Sequence, residues 1–162
     1  MRENFKGGKA VFTVAPFPIK CGGAPQKIAY LSDDTWRKNG VREKTEIRFM
    51  AATPVMFPPS PYYNTHLTET AKSKGFKISL KHQLVKVDKD NRKAYFRNLD
   101  DEAGDLVELD YDFLHICPNQ KPHEFISESV FAAANGYFDV DMNLLHNKTY
   151  TNVFSLGDSA NL

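Results

Sequence analysis

Hydrophobic and polar positions change period several times along this chain, and each change predicts an element. Lys9-Ala10-Val11-Phe12-Thr13-Val14-Ala15 is an apolar, β-rich run ended by Pro16 and Pro18, which reads as a buried strand. Ile19 to Pro25 follows as a turn with paired glycines, and Pro25 suits the first turn of a helix, where its missing N–H costs nothing. Ile28, Leu31, Thr35 and Trp36 recur at three- and four-residue steps through Lys38, predicting a helix with one apolar face that Asn39-Gly40 stops. Thr45 to Ala52 predicts a second strand. Strand, glycine turn, helix and strand over residues 9–52 make a βαβ unit, which sets its strands parallel.

Four prolines between Thr53 and Pro61 mark a loop, and Tyr62 to Lys74 predicts a helix with Tyr63, Leu67 and Ala71 on one face, closed by Gly75. The period then drops to two. Phe76, Ile78 and Leu80 alternate with polar residues, and Leu84 to Val87, Lys93 to Phe96 and Leu106 to Leu109 follow. With turns at Asp90-Asn91 and Asp100 to Gly104, these predict an antiparallel meander with one wet face, spanning about residues 76–117. Tyr111 to Cys117 is a further apolar strand stopped by Pro118. Residues 119–152 read as irregular, apart from a helical patch near Ser129 to Asn135. A last strand, Val153 to Leu156, runs into Gly157-Asp158. The fold class expected is α/β: a Rossmann-like parallel sheet with helices plus an antiparallel meander, over residues 1–118, then a segment over 119–162.

The chain has 162 residues, 41% hydrophobic and 25% charged, which fits one globular domain of ordinary size. Lys+Arg 21 against Asp+Glu 20 leaves a net charge of +1, so no basic excess exists to neutralise a row of phosphates and no nucleic-acid partner is expected. No run approaches the roughly 18 apolar residues that span a membrane, and Met1 to Lys6 lacks the apolar core of a signal peptide. Two cysteines are too few for a disulfide-built secreted domain.

Among residues able to carry chemistry, Cys21 stands out by position. It follows a strand, precedes Gly22-Gly23, and lies just before the predicted helix start, where amides and macrodipole stabilise a thiolate; Lys20 acts in the same direction. The plainer reading is a small buried hydrophobe at a tight turn. Gly22-Gly23 offers a place to cradle a phosphate, yet the full G-x-G-x-x-G spacing appears nowhere, and a tight turn explains the pair as well. Gly157-Asp158 is more specific: glycine lets backbone approach a ligand, and the aspartate accepts hydrogen bonds from ribityl or ribose hydroxyls, or else caps a following helix. His66, His82, His115, His123 and His146 lack metal-ligand spacing, so no metal is expected. Asp139 and Asp141 read as a solvated strand edge, Asn147-Lys148-Thr149 as an incidental glycosylation sequon, and the Pro-rich loop with Tyr62 and Tyr63 as a connection, a lid or a partner surface.

Val14 to Leu31, VAPFPIKCGGAPQKIAYL, resembles the segment around a redox cysteine in sulfide:quinone oxidoreductases of the mitochondrial type, whose pattern is K-C-[AG]-G-A-P-Q-K-I-x-Y-L. The resemblance continues in order through Phe96 to Asp100 (F-x-N-L-D), Tyr111 to His115 (Y-x-x-L-H), Gly136 to Asp141 (G-x-x-D-V-D) and Asn152 to Asp158 (N-V-F-x-L-G-D). It implies a flavoprotein with two dinucleotide-binding domains. Residues 1–118 would then be the inserted NAD(P)-binding-like domain, and 119–162 the segment whose final strand returns toward the FAD-binding domain.

The resemblance also implies a reaction: sulfide attacks a sulfur bridge between two cysteines near the FAD isoalloxazine, a persulfide forms, and the freed thiolate passes electrons to the flavin, which reduces a membrane quinone. Cys21 matches the redox cysteine; Gly157 and Asp158 match the FAD-binding motif; Pro118 lies where the chain passes back toward the flavin, with Cys117 beside it expected to be structural. A small-molecule sulfur acceptor and attachment to the mitochondrial inner membrane, through regions outside this chain, are implied too. The sequence departs from a full enzyme: it has no G-x-G-x-x-G for the FAD pyrophosphate and stops at Leu162, before the region of the partner cysteine. The expectation is a central segment of such an enzyme, inactive and weak in FAD binding alone. A non-catalytic accessory or scaffold subunit is the alternative. A related NADH:quinone oxidoreductase is a third reading, against which Lys20 to Pro25 lacks the glycine spacing for NADH.

Overall fold

The computed structural model describes residues 2–162. They fall into two compact units, one running to Asn119 and one over Gln120–Leu162. The larger unit contains β1 (Gly8–Val14), α1 (Ala24–Lys38), β2 (Thr45–Ala51), α2 (Pro61–Ser73), β3 (Lys77–Ser79), β4 (His82–Asp88), β5 (Lys93–Asn98), β6 (Val107–Asp110) and β7 (Phe113–His115). Four strands form a parallel sheet in the order β3-β2-β1-β7, and β4-β5-β6 form a separate antiparallel sheet. The α/β class is as the periodicity indicates.

β1 and β2 read as unbroken apolar runs because both faces of the sheet are covered. Ala10, Phe12 and Val14 of β1 with Ile47, Phe49 and Ala51 of β2 face the helix side, where Ala29, Trp36 and Ala71 join them. Val11 and Met50 face the other way and pack on Ala94 and Phe96 of the meander. Phe12 and Trp36 are fully buried, each contributing about 2–3 kcal/mol of hydrophobic stabilisation.

The structure departs from the sequence reading in three respects. First, the alternation at 76–80 predicts a meander strand, but β3 pairs parallel with β2, Ile78 opposite Phe49. Alternation marks a strand with unlike faces and is silent about which sheet takes it; α2 acts as a crossover and sets it parallel. β7 likewise pairs parallel with β1, His115 opposite Phe12, so the meander is confined to residues 82–110. Second, α1 is turned: its buried face is Gln26, Ala29, Ser32, Asp33 and Trp36, while Leu31 is 48% exposed.

The cause of that turn is a buried charge cluster. The Asp33 side chain has no exposed surface and accepts from Arg42 Nε at 2.6 Å, Arg37 Nε at 3.0 Å and Lys74 Nζ at 3.0 Å. Arg42 also donates to the Thr45 and Lys74 carbonyls, joining α1, the start of β2 and the end of α2. Burial raises the Asp33 pKa, but its three cationic donors outweigh this and hold it below the ordinary carboxylate value.

The third difference lies in the smaller unit. Its α-helical turn, α3, is Glu124–Ser127 rather than 129–135, and residues 153–156 make a single bridge, His146 with Phe154, instead of a strand. No neighbouring strand among the described residues continues that ladder, and Phe154 and Leu156 stay exposed. A small cluster of Ile126, Phe138, Val140 and Ala160 forms the core of this unit. Around it the buried Asn147 donates Nδ2 to the Phe131 and Asp139 carbonyls and accepts at Oδ1 from the Thr149 and Tyr150 amides. This is a structural asparagine, and its burial agrees with the reading of the sequon as incidental. Asp139 pairs with Lys148, and Asp141 accepts the Asn143 and Leu144 amides at a turn.

Candidate functional site at the carboxyl end of the parallel sheet

The chain leaves β1 in one direction to β2 and β3 and later returns on its other side as β7. Connections therefore diverge between the carboxyl ends of β1 and β7, and in open α/β sheets that divergence opens the crevice where ligands bind. Two loops border it: residues 15–23 after β1 and 116–119 after β7.

The first loop carries Cys21, which is exposed, so it is not the small buried hydrophobe of the plainer reading. Its carbonyl accepts from the Ala24 amide at 3.3 Å, closing the turn into α1, and Lys27 donates to Gly23 at 2.9 Å to start the helix ladder. Gly23 is the N-cap and supplies no side-chain acceptor, with Pro25 in the first turn. The positive end of the α1 dipole thus lies about three residues beyond the thiol. Gly22 and Gly23 lie against Pro59 and Phe57: a Cβ on Gly22 would sit 3.2 Å from Pro59 Cγ, and one on Gly23 3.6 Å from Phe57 Cε2. Close approach of Pro59 accounts for Gly22, whereas a Cβ on Gly23 would make an ordinary contact.

On the second loop Cys117 is half-buried and held by its backbone. Its amide donates to Thr13 Oγ1 at 2.9 Å, and that hydroxyl donates to the His115 carbonyl at 3.1 Å. Pro118 follows, exposed. The His115 ring stacks on Phe12 with centroids 5.9 Å apart, and its Nδ1 is buried without a hydrogen-bond partner. Burial lowers the His115 pKa, its own backbone acting weakly in the other direction. Thr13 and His115 escape a sequence reading aimed at chemistry; the one signal is that each interrupts an apolar strand beside a proline-bounded exit.

Cys21, Cys117 and Pro118 thus share one end of the larger unit's sheet. Gly157 and Asp158 belong to the smaller unit, both exposed, in a 3-10 turn over Gly157–Ser159 whose N-cap is Leu156. Asp158 is therefore not a helix cap. Gly157 has φ +67°, a left-handed conformation that favours glycine, and a Cβ there would meet nothing within 4 Å. Its backbone is open to close approach.

No protein-family model matches the chain. It is 37% identical over 161 residues to the mitochondrial sulfide:quinone oxidoreductase of Schizosaccharomyces pombe, covering 99% of this chain and 35% of that protein. It is 40% identical over 157 residues to the mitochondrial sulfide:quinone oxidoreductase of Dictyostelium discoideum, 96% of this chain and 34% of that one. The chain spans about a third of the length of these curated relatives. Among solved structures, a chain of the Tetrahymena thermophila mitochondrial ATP synthase superposes with TM-score 0.81 at 24% identity, over 99% of this chain and 39% of that chain. The sulfide:quinone oxidoreductase of Aquifex aeolicus superposes with TM-score 0.78 at 19% identity, over 94% and 36%. These two likenesses establish the fold alone. Fold and sequence taken together, the chain resembles, along nearly its whole length, about one third of a mitochondrial sulfide:quinone oxidoreductase.

Proposed function

We propose that this chain is the redox-cysteine segment of a mitochondrial, flavin-dependent sulfide:quinone oxidoreductase, with Cys21 as the reacting thiol. The observation that carries the reading is the exposed Cys21 at the strand-order reversal, within a chain 37–40% identical to such enzymes. Residues 1–118 then serve as the dinucleotide-binding-like scaffold, and 119–162 as a return segment toward the flavin-bearing part of the parent protein.

In that parent protein, hydrosulfide attacks a disulfide joining Cys21 to a cysteine outside this chain. The bond between the cysteines breaks, a new sulfur–sulfur bond forms on one of them, and the other leaves as a thiolate. Cys21 stands two residues ahead of Gly23, the N-cap of α1, at the positive end of that helix's dipole. A small-molecule acceptor then removes the persulfide sulfur.

FAD, when bound, supplies the two-electron acceptor between thiolate and quinone. Gly157, with its open left-handed backbone, and the exposed Asp158 carboxylate suit the hydroxylated chain of that cofactor, and Pro118 lies at the chain's exit from β7. The sequence has no G-x-G-x-x-G to hold the pyrophosphate and two cysteines in all, so on this reading the 162-residue chain binds FAD weakly and does not turn over by itself.

The test is treatment of the reduced chain with polysulfide, followed by peptide mass spectrometry. One added sulfur on the Cys21 peptide, abolished by Cys21→Ser, is the expected result. Labelling confined to Cys117 would overturn the assignment. A second reading is a scaffold subunit that keeps the fold without the chemistry; a chain of an ATP synthase assembly has that fold. Native electrophoresis of source mitochondria separates them: a species of 18.4 kDa migrating only with a large assembly supports the scaffold, and a longer chain supports the enzyme.

A further inference from the structure

We propose that Gln26 and Asn64 are positioning residues for Cys21, acting through the Met56–Pro59 segment that backs its loop. The inference rests on the reading of Cys21 as the reacting thiol and extends it to residues that touch neither thiol nor substrate.

The loop after β2 is proline-rich and has no helix or strand over residues 52–60, a stretch that by itself leaves the chain many conformations. Here it is gripped from two helices. The Gln26 side-chain amide on α1 donates to the Met56 carbonyl, and the Phe57 amide donates to Asn64 Oδ1 on α2 at 3.0 Å. Gln26 is 2% exposed and Met56 1%, so the first grip is shielded from water, where a hydrogen bond is strongest and slippage would strand a buried carbonyl.

What the gripped segment presents is a wall. Pro59 and the Phe57 ring lie against Gly22 and Gly23, the two residues that follow Cys21. Gly22 has no positive φ, so its lack of a side chain is explained by space and not by backbone conformation: an added Cβ would meet Pro59 Cγ at 3.2 Å and Cδ at 3.4 Å. The loop's position is therefore set by contact with a surface whose own position is set by two amide side chains. Displacing a reacting group by about 1 Å costs up to about a hundredfold in rate, so such a wall has consequences for chemistry beyond stability.

The experiment follows iodoacetamide alkylation of Cys21 in the 162-residue chain carrying Cys117→Ser, so that one thiol reports. Gly22→Ala is expected to change the rate constant by about threefold or more, and Pro59→Ala in the same chain to return it toward the parent, as coupled contacts do. Asn64→Ala is expected to change the rate similarly, while Asn64→Asp, which keeps the acceptor, stays near the parent in salt high enough to screen its charge. Unchanged rates in folded Gly22→Ala and Asn64→Ala overturn the proposal, as does a Gly22→Ala effect that Pro59→Ala leaves intact. Should Asn64→Ala fail to fold, the Gly22 and Pro59 pair decides alone. Loss of polysulfide labelling at Cys21 with these couplings intact would instead count against the sulfide-oxidising reading.

Discussion

The Cys117 amide donates to the Thr13 hydroxyl at 2.9 Å, fastening the chain that leaves β7 to the last turn of pleat in β1. Thr13 is 1% exposed and its hydroxyl donates onward to the His115 carbonyl, so one side chain satisfies two backbone groups where ladder pairing ends. Thr13→Val keeps the shape and removes both bonds. It should lower unfolding free energy by about 1–3 kcal/mol in urea titrations, with Thr13→Ser recovering most of the loss.

Asp33→Asn removes the charge that three cations surround. Arg42, with 12% side-chain exposure, is the partner least able to turn to water, and the cost should be about 2–4 kcal/mol in denaturant titrations. The folded pKa of Asp33 is depressed, so its stabilisation is present above the unfolded value of about 3.9 and lost as pH falls through the folded value. The parent should therefore lose stability in strong acid more steeply than Asp33→Asn.

For His115 the sign is opposite in origin and similar in direction. Burial lowers its folded pKa, so below the unfolded value of about 6.5 the unfolded chain binds more protons and stability falls as pH drops. Replacing His115 by Gln should flatten the melting temperature between about pH 7 and pH 5 relative to the parent. An equally steep decline in the variant would assign the effect to other groups.

Asn147→Ala removes four hydrogen bonds at once from a unit with a four-residue core. Hydrogen exchange should show protection lost across residues 131–153 while β1 and β2 keep theirs. Asn147→Asp retains the two accepting bonds and should fall between the two.

Much of this architecture is legible in the chain. The apolar runs at 9–15 and 45–52, the glycine stops at Gly40 and Gly75, and the Asp90-Asn91 turn all report local physics that the tertiary fold leaves in place. What is not legible is pairing at a distance. Nothing in Phe76-Lys77-Ile78 distinguishes an edge of the parallel sheet from the meander, because both give half-buried alternation. The buried face of α1 is similarly hidden, since a pattern of apolar residues cannot anticipate that Asp33 goes inside with Arg42 from beyond the helix. At the site, the position of Cys21 is visible as a glycine turn before a helix, whereas its supports at Gln26 and Asn64 read as ordinary helix surface. Asn147 looks like a modification signal because a three-letter motif carries no information on burial.

The strand order has a consequence for biosynthesis. β1, the Cys21 loop, α1 and β2 are contiguous and can assemble as soon as they are made. The other edge of β1 waits for β7, and Thr13 and Cys117 are 104 positions apart. At about 5–20 residues per second, a nascent chain holds the bare edge of Ala10, Val11 and Phe12 open for several seconds while the meander is synthesised. The thiol's loop is thus built before the crevice beside it is closed, which makes the interval between β2 and β7 the period in which a chaperone has most to protect.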